Sequence, residues 1–271
     1  MKNRILVVSL AIASIFLVSA CQNKKTDAGK VAATSAQSND SGKIKDEIVR
    51  IVSSLPNNTE TVNLINSTGA AYLAGFTAED LKPESLMTRS DKARVYGSVI
   101  FDLAYTNTYR QVESFSKLMK VFETLTQDLG FQELVQKQKE FRAHYQQDKT
   151  NPDSLDVMLS NMLKETNTLI QGSGSVADIS LVFSGTVAKS LHVISYLTLF
   201  APAKDKLLVV LQKQKGMVNA VCEILAKSPE DASVSKMYQS MIPIQKIFNA
   251  PEPFTPQTVE EINKLTAFIT Q

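Results

Sequence analysis

The stretch from Ser175 to Phe200, SVADISLVFSGTVAKSLHVISYLTLF, decides the fold. It is apolar on most sides and shows no sustained two-residue alternation, so it reads as one helix without a solvent face. Such a helix is either the axis of a helical body or a membrane span, and 26 residues suffice for both. Asp178, Lys189 and His192 interrupt it, and charges at mid-membrane are costly. The segment is therefore expected to be a buried central helix around which the others pack.

The flanking sequence repeats the same period on a narrower face. Leu155, Met158, Leu159, Met162, Leu163, Leu169 and Ile170 recur at spacings of three and four, as do Tyr109, Val112, Phe115, Leu118, Met119, Phe122, Leu125 and Leu129. A third stripe runs through Val234, Met237, Tyr238, Met241, Ile244 and Phe248, with Pro243 expected to kink it. Asn151-Pro152, Ser228-Pro229 and Thr255-Pro256 each place a capping side chain before a proline at the first helical position. Gly130, Gly172, Gly174 and Pro202 mark ends. The predicted helices are 43–54, 58–74, 90–106, 108–129, 131–147, 152–171, 175–200, 204–227, 229–249 and 256–269. Short connections favour antiparallel neighbours. The fold expected is all-α, a single antiparallel bundle of about nine to ten helices over 43–271. An α-solenoid is the second choice, since no fixed repeat length is visible.

The amino terminus is organised differently. Lys2 and Arg4 precede an apolar run from Ile5 to Leu17, too short to cross a bilayer, which is the pattern of a removed export signal. Leu17-Val18-Ser19-Ala20-Cys21 resembles the bacterial lipobox. The resemblance implies that residues 1–20 are a lipoprotein signal peptide and that Cys21 is lipidated and becomes the first residue of the mature chain. Multiple acyl chains hold a protein at a membrane where one does so only marginally. Gln22, where an inner-membrane lipoprotein usually has Asp, points to the outer membrane and, with Lys24 and Lys25 following, to its periplasmic side. An ordinary cleaved signal with an incidental cysteine is the plainer alternative. Residues 21–42 are poor in large aliphatics and form the expected flexible tether, with a reach of about 25 Å.

Without the signal, 27 basic and 27 acidic side chains remain. That balance gives no basic excess for a nucleic-acid partner. The one remaining cysteine, Cys222, sits among apolar neighbours at helical spacing and reads as a core residue.

Chemistry-bearing candidates are few. Tyr96-Gly97-Ser98-Val99-Ile100-Phe101-Asp102-Leu103-Ala104-Tyr105-Thr106-Asn107-Thr108-Tyr109 sets one acid in an apolar, aromatic helix. Asp102, Tyr105 and Tyr109 share a face, and Gly97 with Ser98 allows another helix to come close. With Tyr96 they could orient a ligand in a pocket. The plainer reading is a carboxylate satisfied inside the core by hydroxyls or amides. Glu140, His144 and Asp148 line one helix face but lack a second ligating element, so no metal site is expected. Ser114-x-x-Lys117 and Ser233-x-x-Lys236 lack the companion motifs of penicillin-recognising enzymes.

Leu55-Pro56, Leu64-Ile65-Asn66-Ser67-Thr68-Gly69-Ala70-Ala71-Tyr72 and the Tyr96–Tyr109 stretch together resemble a family of helical lipoproteins from Bacteroidota. Its shared pattern runs Pro, then Ser-Gly-Ala-x-Tyr, then Gly-Val-Tyr-x-x-Asp-Leu-x-Tyr, and the similarity covers about residues 50 to 270. The resemblance implies a helical lipoprotein and brings no catalytic motif. Many relatives have Gly-Gly-Trp-x-Glu where this chain has Ser184-Gly185-Thr186-Val187-Ala188-Lys189, and the chain has no Trp, so no role for that Trp or Glu transfers. The sequence thus predicts a non-enzymatic binding or scaffolding domain in the cell envelope, without a cofactor beyond the lipid on Cys21. Its partners would be the membrane, through the lipid, and an envelope protein. A carrier or sensor of a small, largely apolar ligand is the alternative, and an enzyme the remote one.

Overall fold

The computed structural model describes residues 42–147 and 152–270, all helices and connections without a strand among them. Cys21, the signal segment and all but the last residue of the expected tether lie outside the described residues. After helix α1 (42–53) come α2 (Asn58–Ser67), a single 3-10 turn (Pro83–Ser85), α3 (Arg89–Thr108), α4 (Val112–Asp128), α5 (Gln132–Gln147) and α6 (Pro152–Ser173). The chain continues through α7 (Val176–Phe200), α8 (Lys204–Gln212), α9 (Lys215–Leu225), α10 (Ala232–Asn249) and α11 (Pro256–Thr270).

α7 is the axis, as its composition requires. It packs against α2, α3, α6, α8, α9, α10 and α11, elements drawn from the whole described chain. A solenoid, in which each repeat touches only its neighbours, is therefore not the architecture. Its start is fixed by a capping box: Asp178 N–H donates to Ser175 Oγ at 3.0 Å, and Ser175 N–H to Asp178 Oδ2 at 3.2 Å.

Two pairs of consecutive helices with short connections run antiparallel. Along α3 and α4, Lys92 meets Asp128 while Tyr96 meets Phe122, and along α4 and α5, Thr126 meets Gln138 while Phe115 meets Tyr145. The central pair differs. Arg89 pairs with Asp178, Ser98 with Gly185, and Asp102 with Lys189, so α3 and α7 run parallel. Three helices separate them in the chain, and the short-loop rule does not reach across that distance. Their contact is backbone on backbone. A Cβ added at Gly97 would lie 1.8 Å from the Val182 carbonyl oxygen, and one at Gly185 would lie 1.9 Å from that of Arg94. Beside each glycine a hydroxyl crosses the seam: Thr186 Oγ1 donates to Gly97 O at 2.8 Å, and Ser98 Oγ to Gly185 O at 3.3 Å. The close approach expected of Gly97 and Ser98 is thus made by α7.

Four boundaries depart from the periodicity. α4 starts at Val112, not 108: Tyr109 closes α3 and Arg110 turns the chain with φ +57°, so Tyr109 falls outside the α4 stripe. α2 ends at Ser67 rather than 74 because Gly69 turns the chain with φ +83° and Thr68 Oγ1 bonds Ile65 O. The predicted helix 204–227 is two, broken at Lys213–Gln214, where the buried Gln214 side chain donates to Val210 O. α10 starts at Ala232, not 229: Asp231 caps it, accepting from Ser233 and Val234 N–H, and leaves Ser228-Pro229 outside the helix. The helix runs on through Pro243. Pro152 and Pro256 open α6 and α11 as expected, with Thr255 capping the latter.

Candidate functional site

Residues 68–88, between α2 and α3, form a strap that lies along α3. Tyr109 OH donates to Ala70 O at 2.9 Å, Leu73 N–H donates to Tyr105 OH at 3.0 Å, and Ala78 N–H donates to Asp102 Oδ2 at 2.9 Å. Strap positions rise as α3 positions fall, so the strap runs antiparallel to α3 and is fastened once per turn or two. Tyr72 stacks on Tyr105 and lies against Tyr109, at 5.2 and 5.9 Å between ring centroids. Asp102 and Tyr105 of α3 and Tyr109 just after it therefore form one face, as their spacing predicts, and each is spent on strap backbone.

Tyr96 lies elsewhere. Its ring stacks on Phe122 at 4.8 Å, and its hydroxyl accepts from Thr126 Oγ1 at 3.0 Å, on the side of α3 facing α4. It sits six residues before Asp102, about 120° away around the helix, and does not join the other three.

Asp102 is fully buried, and Lys189 of α7 reaches it with Nζ 3.5 Å from Oδ1 and a side chain 9% exposed. The same ammonium donates to Phe76 O in the strap. Burial pushes the Asp102 carboxyl up to about 6, against the pull of the Lys189 ammonium and the Ala78 amide. Burial, then the Lys189 charge, holds His192 down at about 4. Burial also raises the Tyr105 hydroxyl, and Tyr109 is pushed up to about 12. Asp102 Oδ1 makes no hydrogen bond, and neither do the buried Tyr72 OH, Thr77 Oγ1 and Glu79 Oε2 of the strap. The ensemble is polar and perturbed but closed: a substrate would have to displace residues 70–78 to reach it. Its geometry is that of a fastening.

From His192 the strap continues an aromatic ladder outward. Phe76 stacks on His192 at 5.3 Å and meets Tyr196 at 4.3 Å, and Tyr196 meets Phe200 at 4.6 Å. Phe200, at the end of α7, is 67% exposed.

One open concave surface lies elsewhere. A cleft of about 370 Å³ is bounded by the α1–α2 turn, one face of α6 and the floor of α7. Val52, Leu55, Ile179, Val182, Phe183 and Met217 make its base. Ser160, Lys164, Asn167, Thr168 and Gln171 of α6 face Asn57, Asn58, Thr59 and Glu60 across it. Asn57 caps α2, accepting from Glu60 N–H at 2.9 Å and donating to Glu60 Oε1 at 2.9 Å. Asn58, Asn167 and Gln171 are half-buried and form no side-chain hydrogen bond with another described residue.

Comparison of the chain with protein-family models, with curated proteins and with solved structures finds no match. The site therefore rests on its own geometry.

Glu140 and His144 are exposed on α5, Glu140 accepting from Gln136, and Asp148 lies outside the described residues. Among the described residues no group of three His, Cys, Asp or Glu side chains is placed to hold a metal ion. Lys117 pairs with Glu113 and Asp80 rather than standing free beside Ser114. Cys222 is buried, its thiol raised to about 11 by burial. Among the described residues no helix is long and apolar enough to cross a membrane.

Sequence reasoning missed Lys189 and the cleft. Lys189 had a signal: one acid in the apolar α3 and one base in the apolar α7 each need a partner, and buried charges are found paired. The cleft had a fainter one. Ser160, Lys164, Asn167 and Gln171 repeat at four, three and four residues, a mostly uncharged polar stripe beside the apolar stripe of α6.

Proposed function

We propose that this chain is a lipid-anchored protein of the bacterial envelope, held at the outer membrane through Cys21, whose helical domain binds without covalent chemistry. The observation that carries the binding reading is the cleft. It is concave, apolar at its base and ringed by a few polar groups, the usual make-up of a ligand site. The perturbed groups that an enzyme would use, Asp102 and His192, are engaged instead in holding the strap. Anchoring rests on the lipobox resemblance of Leu17–Cys21.

Two measurements test this. Wild-type protein is expected in the membrane fraction with an acyl label, and Cys21→Ser in the soluble fraction without one; a Cys21→Ser chain that keeps its label ends the anchoring reading. Native mass spectrometry of Cys21→Ser protein, taken gently from its own host, is expected to show a non-covalent adduct. That adduct should disappear when Asn167→Arg fills the cleft, and an adduct indifferent to the substitution refutes the cleft as the site.

A scaffolding role has its own observation. The ladder from Phe76 through Tyr196 ends in the exposed ring of Phe200, and an exposed aromatic is a common anchor for a protein partner. Crosslinking in intact cells is expected to place an envelope protein at that corner, with the crosslink lost in Phe200→Ser.

A further inference from the structure

The cleft has a more specific chemistry than its apolar base implies. A carboxamide is a side chain that offers two donors and an acceptor on one planar group without charge. A carboxamide that is half-buried and unmatched by the protein holds these groups open to water, and so to a ligand that takes the water's place. Asn58 does this on one wall, and Asn167 and Gln171 on the other. Their natural complement is another amide, which presents the same donor and acceptor in the same plane.

Charge points the same way. The rim holds one cation, Lys164, and one anion, Glu60. A phosphate or polyanion needs clustered arginines, lysines or aligned amides, and a polycation needs clustered acids. Neither is present, so the occupant is close to neutral. A sugar stacks on aromatic faces, whereas the base here is aliphatic apart from Phe183.

Length completes the argument. Ser160 and Gln171 lie eleven residues apart on α6, roughly 16 Å along its axis. An extended chain covers about 3.3 Å per residue, so the wall matches four or five residues. Alternate side chains of an extended peptide would point to the base and to solvent, which suits a cleft apolar below and open above.

We propose that this cleft receives a short, near-neutral peptide in extended form, its amides paired by Asn58, Asn167 and Gln171 and its inward side chains seated on Val182, Phe183 and Met217. The assignment names the ligand class for the binding reading above and rests on it.

The absence of tryptophan from the chain supplies the experiment. The full-length Cys21→Ser protein is titrated into the tetrapeptide Ala-Ala-Trp-Ala, whose indole fluorescence then reports binding without protein background. Saturable binding with a blue shift is expected, displaced by tetraalanine, lost in Asn167→Arg, and weakened at least fivefold in Asn167→Ala/Gln171→Ala at unchanged melting temperature. Skatole, the same ring without a backbone, is expected to bind at least tenfold more weakly. If skatole binds as tightly and Asn167→Arg still blocks it, the peptide assignment fails while the cleft stands as a site for an apolar ligand. Displacement by maltotriose but not by tetraalanine overturns the assignment in favour of a glycan. No binding of the tetrapeptide at millimolar concentration overturns it outright, and the native-mass adduct then judges the binding reading separately.

Discussion

Asp102 and Asn167 are both polar side chains set against apolar surroundings, and the molecule treats them in opposite ways. Asp102 is sealed under the strap with an amide and an ammonium turned towards it. Asn167 stands half-buried at the edge of a cleft with no partner among the described residues. The first region holds several strongly perturbed titratable groups and has no opening. The second holds none of them and is open. Strong pKa perturbation marks a functional site only when the group is also reachable. Here it marks the place where a long connection is tied to the core, and the region left to bind is the open cleft, whose unbonded polar groups face water.

The contrast is sharpest at glycine. Gly97→Ala forces a Cβ to within 1.8 Å of the Val182 carbonyl oxygen, an atom of another helix's backbone that cannot move aside. The α3–α7 seam must then part along its length, and the expected loss is at the extreme of single substitutions, more than about 4 kcal/mol. Gly172, in the last turn of α6 beside the cleft wall, has nothing within 4 Å of an added Cβ. Gly172→Ala removes backbone freedom from the unfolded chain and is expected to stabilise by about 0.5–1 kcal/mol. Thermal unfolding of the two variants followed by circular dichroism checks both signs. A folded Gly97→Ala protein with near wild-type stability refutes the seam.

The ion pair supplies the next effect. Lys189→Met leaves a carboxylate without its countercharge in the core, which typically costs about 3–5 kcal/mol. Asp102→Asn/Lys189→Met removes both charges and retains the acceptor for Ala78 N–H, so it should be clearly more stable than Lys189→Met alone. Urea unfolding of the two variants measures the difference. Amide hydrogen exchange at Leu73 and Ala78 should quicken in Lys189→Met, because both donate to the α3 face that the strap covers. Equal costs for the single and double variants mean that the charges do not communicate.

How much of this was legible in the sequence depends on distance along the chain. The all-α fold followed from periods of three and four, and the central place of α7 from an apolar surface on nearly every side. Close approach at Gly97-Ser98 was readable because a helix interior tolerates glycine poorly unless something needs the space. The face formed by Asp102, Tyr105 and Tyr109 was readable from spacing alone, but its use was not. The strap partners lie 24 to 39 residues away, in a segment with neither helical period nor repeat. The parallel seam, the pair with Lys189 and the cleft are contacts across longer separations, where local propensity carries no signal.

Acid behaviour separates the two titratable neighbours of Lys189. Asp102 titrates near 6 in the folded state against an ordinary 3.8, so the folded protein keeps a proton that the unfolded chain has lost. Its contribution therefore falls as pH rises from about 3.8 to 6. Glu79 pushes this carboxyl in the same direction as burial, while Lys189 and Ala78 oppose. His192 titrates near 4 against an ordinary 6.5, so the unfolded chain takes up the proton first and stability falls as pH drops through that window. The two slopes oppose, each at most about 1.4 kcal/mol per pH unit. Relative to wild type, His192→Gln should tilt stability downward with rising pH between 4 and 6.5, and Asp102→Asn should tilt it upward. Urea midpoints at pH 4, 5, 6 and 7 test the signs. Variants that tilt together exclude opposed titrations.

Thr186 joins the two regions and predicts the smallest effects. Its side chain lines the cleft, and its hydroxyl donates across the seam to Gly97 O. Thr186→Val keeps the shape and loses that bond, so about 1 kcal/mol should go. Asn167→Ala and Gln171→Ala remove no hydrogen bond to a described residue, and each should change stability by less than about 0.5 kcal/mol. In Thr186→Val/Asn167→Ala the two costs should add, since the residues share no partner. Differential scanning calorimetry measures all four variants. Should Asn167→Ala cost as much as Thr186→Val, the carboxamide is serving the fold, and the difference between a region closed by its own chain and one left for another molecule disappears.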